Sequence, residues 1–235
     1  SGLVVANNIV TTGSGLINQG SGIFTLNGTI GGAGSISTVG TGELILNGNN
    51  AFTGGLGINV SGSTVTLGTN TAAGVSGIAL NDGATLKAGV SGLVVANNIV
   101  TTGSGLINQG SGVMTLNGVI GGAGSISTVG TGELVLNGNN AFTGGLGINV
   151  SGSTVTLGTN TAAGVSGIAL NDGATLKAGV SGLVVANNIV TTGSGLINQG
   201  SGVMTLNGVI GGAGSISTVG TGELVLNGNN AFTGG

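Results

Sequence analysis

Any chemistry in this chain would have to start from Glu43, Asp82 and Lys87. With Glu133, Asp172, Lys177 and Glu223 they are all of its charged side chains, five acids and two lysines among 235 residues, for a net charge of -3. Two carboxylates can divide the work of general acid and general base, and a β-helical polysaccharide lyase or hydrolase needs such a cluster or a basic group beside it. Glu43 and Asp82 stand 39 residues apart, so they could pair only if the fold put them on one face. Lys87 could serve as the base of a Ser-Lys dyad, yet spacing fixes no serine beside it. Solvated charges that keep a nearly neutral surface in water are the simpler expectation, and an exposed Asp82-Lys87 pair would add little stability. No catalytic residue is assigned, and no enzyme is expected.

The missing residue types narrow the field further. The chain has no His, Cys, Pro, Trp or Tyr, and no Arg. Zinc sites of the usual ligand set, thiol nucleophiles and disulfides are therefore out of reach. Gly31-Gly32-Ala33-Gly34-Ser35 begins like the calcium nonapeptide of secreted β-rolls, but Ile36 stands where the carboxylate ligand belongs. One Glu and one Asp per copy cannot supply the six or more oxygens that calcium takes. No Gly-x-Gly here completes Gly-x-Gly-x-x-Gly, so no dinucleotide cradle is read, and neither metal nor cofactor is expected. Two lysines cannot neutralise a run of phosphates, and bases would find no Trp, Tyr or Arg to stack on, which argues against nucleic acid. The longest apolar run is Leu3 to Ala6, far short of the roughly 20 residues of a spanning helix, so no membrane insertion is expected of this segment. Thr64 and Thr66 raise the thought of an ice-binding face, but Glu43, Ile45 and Lys87 occupy the equivalent places and break the array. Asn27-Gly28-Thr29 and Asn59-Val60-Ser61 are glycosylation sequons in form, short enough to arise by chance.

What positions these residues is a repeat. The segment starting at Ser1 recurs at Ser91 and Ser181, giving one continuous unit of tandem copies over 1–90, 91–180 and a partial 181–235. Copies two and three are identical over their overlap, and copy one differs from copy two only at Ile23/Val113, Phe24/Met114, Thr29/Val119 and Ile45/Val135. A shorter period runs inside each copy. Phe24 and Leu26 overlay Leu44 and Leu46 at an offset of 20, these overlay Val65 and Leu67 at 21, and Ala84 and Leu86 follow at 19. Alternation points these eight residues inward and Thr25, Glu43, Ile45, Thr66 and Lys87 outward.

Glycine at 56 positions, with Asn-Gly or Asp-Gly at 27–28, 47–48 and 82–83, opposes helices and predicts tight turns with positive φ. Short strands recurring every 20 or so residues predict an all-β fold, a parallel β-solenoid with four to five rungs per 90-residue copy. At about 4.8 Å per rung a copy rises roughly 19 to 24 Å, and the whole is a rod of roughly 50 to 60 Å. A mean hydropathy of +0.58 argues against a disordered, silk-like material. Asn27 lies above Asn47 in this scheme. Two readings stay open for the pair: a hydrogen-bonded ladder near the dry interior, or two independent Asn-Gly turns.

Leu26 to Gly55, above all Leu44-Ile45-Leu46-Asn47-Gly48-Asn49-Asn50-Ala51-Phe52-Thr53-Gly54-Gly55, resembles the passenger-associated β-strand repeat of bacterial autotransporters, the proteins of type V secretion. A glycine-bounded strand, Leu-x-Leu, a small polar residue with Gly, Asn, then an aromatic-Thr-Gly-Gly and a second strand are all present. Phe52 takes the aromatic slot, usually Tyr, and Leu56 stands where Thr is common. The resemblance implies a right-handed parallel β-helix exported across two membranes, hence an extracellular or bacterial cell-surface location. The leading functional expectation is a structural segment of a secreted or surface-displayed fibre or stalk that self-associates end to end into a filament. An adhesin binding a host or neighbouring-cell receptor is the alternative, favoured by an outward patch joining Ile23 and Ile45, and a carbohydrate-active enzyme is a weaker one.

Overall fold

In a computed structural model, which describes residues 2–235, the chain forms 29 short strands from Leu3–Val5 to Glu223–Leu226, with no helix among the described residues. Neighbouring strands pair in parallel. Parallel pairing requires a crossover between partners, and here the crossover is the rest of one coil. The longest stack contains eleven strands, so the parallel β-solenoid has about eleven coils and a length of roughly 50 Å. Partners in register lie 20 to 22 residues apart, as in Phe24↔Leu44, Leu44↔Val65 and Leu146↔Ile168.

Each coil is a triangle with three faces. The first face begins with Leu3–Val5, Ile23–Leu26 and Glu43–Leu46, the second with Ile9–Val10 and Ile30–Gly31, and the third with Ser14–Ile17, Ser35–Thr38 and Leu56–Ile58. Where the second face has no regular strand, backbone bonds still carry the stack upward, from Ala51 N to Ile30 O at 2.8 Å and from Val75 N to Phe52 O at 3.2 Å. Inside runs a strip of Leu, Ile and Val in which Leu44, Leu46, Val65, Leu67, Ala84 and Leu86 have no solvent exposure. Period-two alternation sets the inward side chains of these strands, although the outward Thr66 is also covered, at 5% exposure; the overlay of Ala84 and Leu86 on Val65 and Leu67 shifts by two residues, since Leu86 pairs with Val65 and Ala88 with Leu67. Phe24, near the end of the rod, is half-buried.

The rungs do not divide evenly into copies. After Thr85–Ala88 on the first face comes Leu93–Val95 on the second, where Val94 N bonds Asn70 Oδ1 at 2.9 Å. Ile99–Thr101 then stacks on Ile78–Leu80 of the third face, and Ser104–Asn108 returns to the first against Thr85–Ala88. Leu93–Val95 is the counterpart of Leu3–Val5, so copy two begins one face further round than copy one. Copy three moves again: Leu183–Val185 lies on the third face, with Val184 N bonded to Asn160 Oδ1 at 2.9 Å. Four to five rungs per copy becomes four and one third.

The turns also differ from expectation. Gly83 has φ +68, but Gly28 and Gly48 are not in the positive-φ region. Glycine is needed at those two because coils touch: a Cβ on Gly28 would sit 2.1 Å from Asn7 O, and one on Gly48 would sit 2.2 Å from Gly28 O. Asn47 Nδ2 donates to Asn27 Oδ1 at 2.9 Å, so the ladder forms. Both side chains are exposed, which places it on the rim of the rod and away from the dry interior.

Candidate functional site

The charged residues come together differently from the pairs that spacing offered. Glu43 and Lys87 occupy first-face strands two coils apart, with Thr66 on the strand between them. Lys87 Nζ reaches over Thr66 to Glu43 Oε1 at 2.9 Å, and Thr66 Oγ1 donates to the same oxygen at 2.5 Å. Burial alone would raise the Glu43 pKa, but the hydrogen bonds from Thr66 and Lys87 and the lysine's charge outweigh it and hold the carboxyl below its ordinary value. Glu133, Thr156 and Lys177 repeat the arrangement, with the ion pair at 2.8 Å. Thr66 is buried at 5% exposure, so the Thr64/Thr66 pair offers ice no flat outward array.

Asp82 is not part of this cluster. It sits at the corner between Ile78–Leu80 and Thr85–Ala88, where its Oδ1 accepts a 2.7 Å bond from Ser104 N one coil above. Lys87 pairs with Glu43 and not with Asp82. Ile36, at the place where a calcium β-roll carries its carboxylate, is buried in the core at 2% exposure. Among the described residues no three acidic, His or Cys side chains gather.

The most built part of the molecule is a corner that charge could not reveal. Asn50 is 3% exposed. Its Oδ1 accepts from Ile30 N and its Nδ2 donates to Ala72 O, both at 2.7 Å, so one amide clamps three successive coils across the face that lacks a regular strand. Two residues on, Phe52 is fully buried beside Ala72 and Ala73. Gly74, φ +73, closes over the ring: a Cβ there would come within 2.9 Å of Phe52 Cζ. Asn140 and Phe142 repeat the clamp with Ile120, Ala162 and Gly164.

A second buried amide secures another corner. Gln19 Nε2 donates to Gly40 O at 2.8 Å, Gly42 O at 3.2 Å and Ser63 Oγ at 3.0 Å, and Ser63 Oγ donates on to Thr38 Oγ1 at 3.1 Å. Gln19 does not stand out in the sequence among the many polar residues around it, and Asn50 falls within the passenger-repeat pattern without any role attached to it. The exposed Asn27 and Asn47, flanked by visible glycines, drew attention instead.

Two shallow troughs mark the outer surface. One, of about 420 Å³, lies on the third face over Gly57 between Ser35, Ser37, Asn59, Ala79 and Val100. Its counterpart, of about 390 Å³, lies on the first face over Gly147. Uncharged residues line both. Ile23 pairs in register with Glu43, and Ile45 lies between Thr25 and Thr66, so neither isoleucine stacks directly on the other.

Stacked coils, a continuous apolar strip and polar clamps at the corners define a repeat-built parallel β-solenoid. The family described as Passenger-associated-transport-repeat matches residues 39–63, 129–153 and 219–235. Each match takes in a Leu-x-Leu strand and the Asn-x-Phe corner, and the third is shorter than the other two. No curated protein and no solved structure matches it.

Proposed function

We propose that this chain is a structural segment of a secreted or surface-displayed bacterial passenger, a fibre or stalk whose length is set by the number of copies. The observation that carries the reading is continuity: the eleven-strand stack crosses both copy boundaries without a break, Lys87 lying in register with Asn108 and Ala169 with Val190. Stability in such a stack is close to a sum over neighbouring coils, so copies add length without a new core.

The same geometry favours a non-catalytic role. Glu43 is neutralised by Lys87, and Asp82 is held by backbone on a different corner. The adhesin reading draws no support from Ile23 and Ile45, whose register neighbours are polar. Arrays of two, four and six copies, imaged by negative-stain electron microscopy, test the proposal. Contour length should grow by about 21 Å per copy; particles that become wider or branched with copy number would refute it.

A further inference from the structure

Sequence and coil repeat with different periods, and the surface records the difference. Position 10 of each copy is an outward valine, Val10, Val100 and Val190, exposed at 76%, 52% and 51%. These three valines lie on the second, third and first faces respectively. The Glu-Lys pair moves from the first face to the second between copies, and the trough moves from the third to the first. The interior accepts the rotation: Val65 and Val155, on different faces, are both at 0% exposure, as are Phe52 and Phe142. A strand that packs equally well on any side means that the three faces are interchangeable.

We infer that the outer surface is a threefold screw array. Each feature of a copy reappears a third of a turn round and about 21 Å along the axis, returning to its starting face only after three copies and roughly thirteen coils. Equivalent sites on successive copies therefore face three directions. The inference is independent of the fibre role, since it concerns one folded chain.

The chain contains no cysteine, so engineered pairs report register directly. Neighbouring parallel strands lie about 4.8 Å apart, within the Cα separation a disulfide spans. Lys87 is the register partner of Asn108, and Val94 of Thr115. Oxidation of the purified chain should therefore link Lys87→Cys to Asn108→Cys, and should leave Lys87→Cys with Thr115→Cys unlinked. A repeat that restarted on its own face would bring the strands of Val94 and Thr115 onto the face of Lys87 and move Asn108 off it, so the first pair would fail to link. Val94→Cys with Thr115→Cys is the control for a folded, oxidisable stack: linkage there without linkage of Lys87→Cys to Asn108→Cys overturns the inference. Gold clusters on Val10→Cys, Val100→Cys and Val190→Cys give a second readout. In averaged images of side-on rods they should project in three directions, and a single file along one edge would sink the screw.

Discussion

Phe142 has no solvent exposure, and Gly164 leaves no room above its ring for even a Cβ. Phe142→Ala should cost about 3 to 5 kcal/mol, since the coils above and below are hydrogen-bonded in place and cannot collapse into the cavity; a urea titration reads the loss. The ion pairs matter less. Glu133 is partly exposed, and its bond to Lys177 contributes under about 1 kcal/mol once solvent screening is allowed for. Their signature lies in pH. Burial would raise the Glu133 pKa, but hydrogen bonds from Lys177 and Thr156 and the lysine's charge bring it below the ordinary 4.5, as happens at Glu43. A carboxyl whose pKa is lower folded than unfolded stabilises fully above the unfolded value, and that contribution disappears as pH falls through the folded one. Stability measured by urea titration should therefore change little between neutral pH and about 5 on account of these groups, then decline below about 4.5, and Glu43→Gln with Glu133→Gln should flatten the decline.

Strands and corners differ in how far sequence foretells them. Alternation in Leu44-Ile45-Leu46 identifies an inward face because side chains in a strand point to opposite sides with a period of two, and nothing in tertiary context competes with it. Corners lack such a rule. Asn47-Gly48 looks like a turn that needs positive φ, whereas its glycine is there because the next coil lies against it; the two causes leave the same dipeptide in the sequence. A discriminating experiment compares Gly138→Ala with Asn137→Ala in the central copy. A Cβ at 138 would lie 2.4 Å from Gly118 O, so Gly138→Ala should cost well over about 1 kcal/mol. Asn137→Ala loses one exposed bond to Asn117 and should cost about 1 kcal/mol or less. Equal costs in thermal unfolding would argue that 138 is an ordinary turn. The role of Asn50 was illegible for a related reason: its partners, Ile30 and Ala72, lie one coil away on either side. The rung count stays between four and five in sequence because the long stretch from Ala84 to Gly110 shows no clear period, whereas the fold spreads its strands over three faces, Thr85–Ala88 on the first, Leu93–Val95 on the second and Ile99–Thr101 on the third.

At the scale of the rod, the third of a turn by which each copy is displaced governs mechanics as well as display. Each full copy carries features that would make one side stiffer or bulkier than the others: an ion pair between strands two coils apart, a bulky aromatic corner, a shallow trough over glycine. Had every copy begun on the same face, these differences would have added along one edge, and a long array would curve towards its softer side. Rotation through the three faces spreads them evenly. Atomic force images of long arrays on mica should show straight contours whose small deflections have no preferred sense, and a constant arc of one sense would contradict this. A length of 90 residues, out of step with the coil it builds, thus gives an asymmetric unit the bending behaviour of a uniform cylinder.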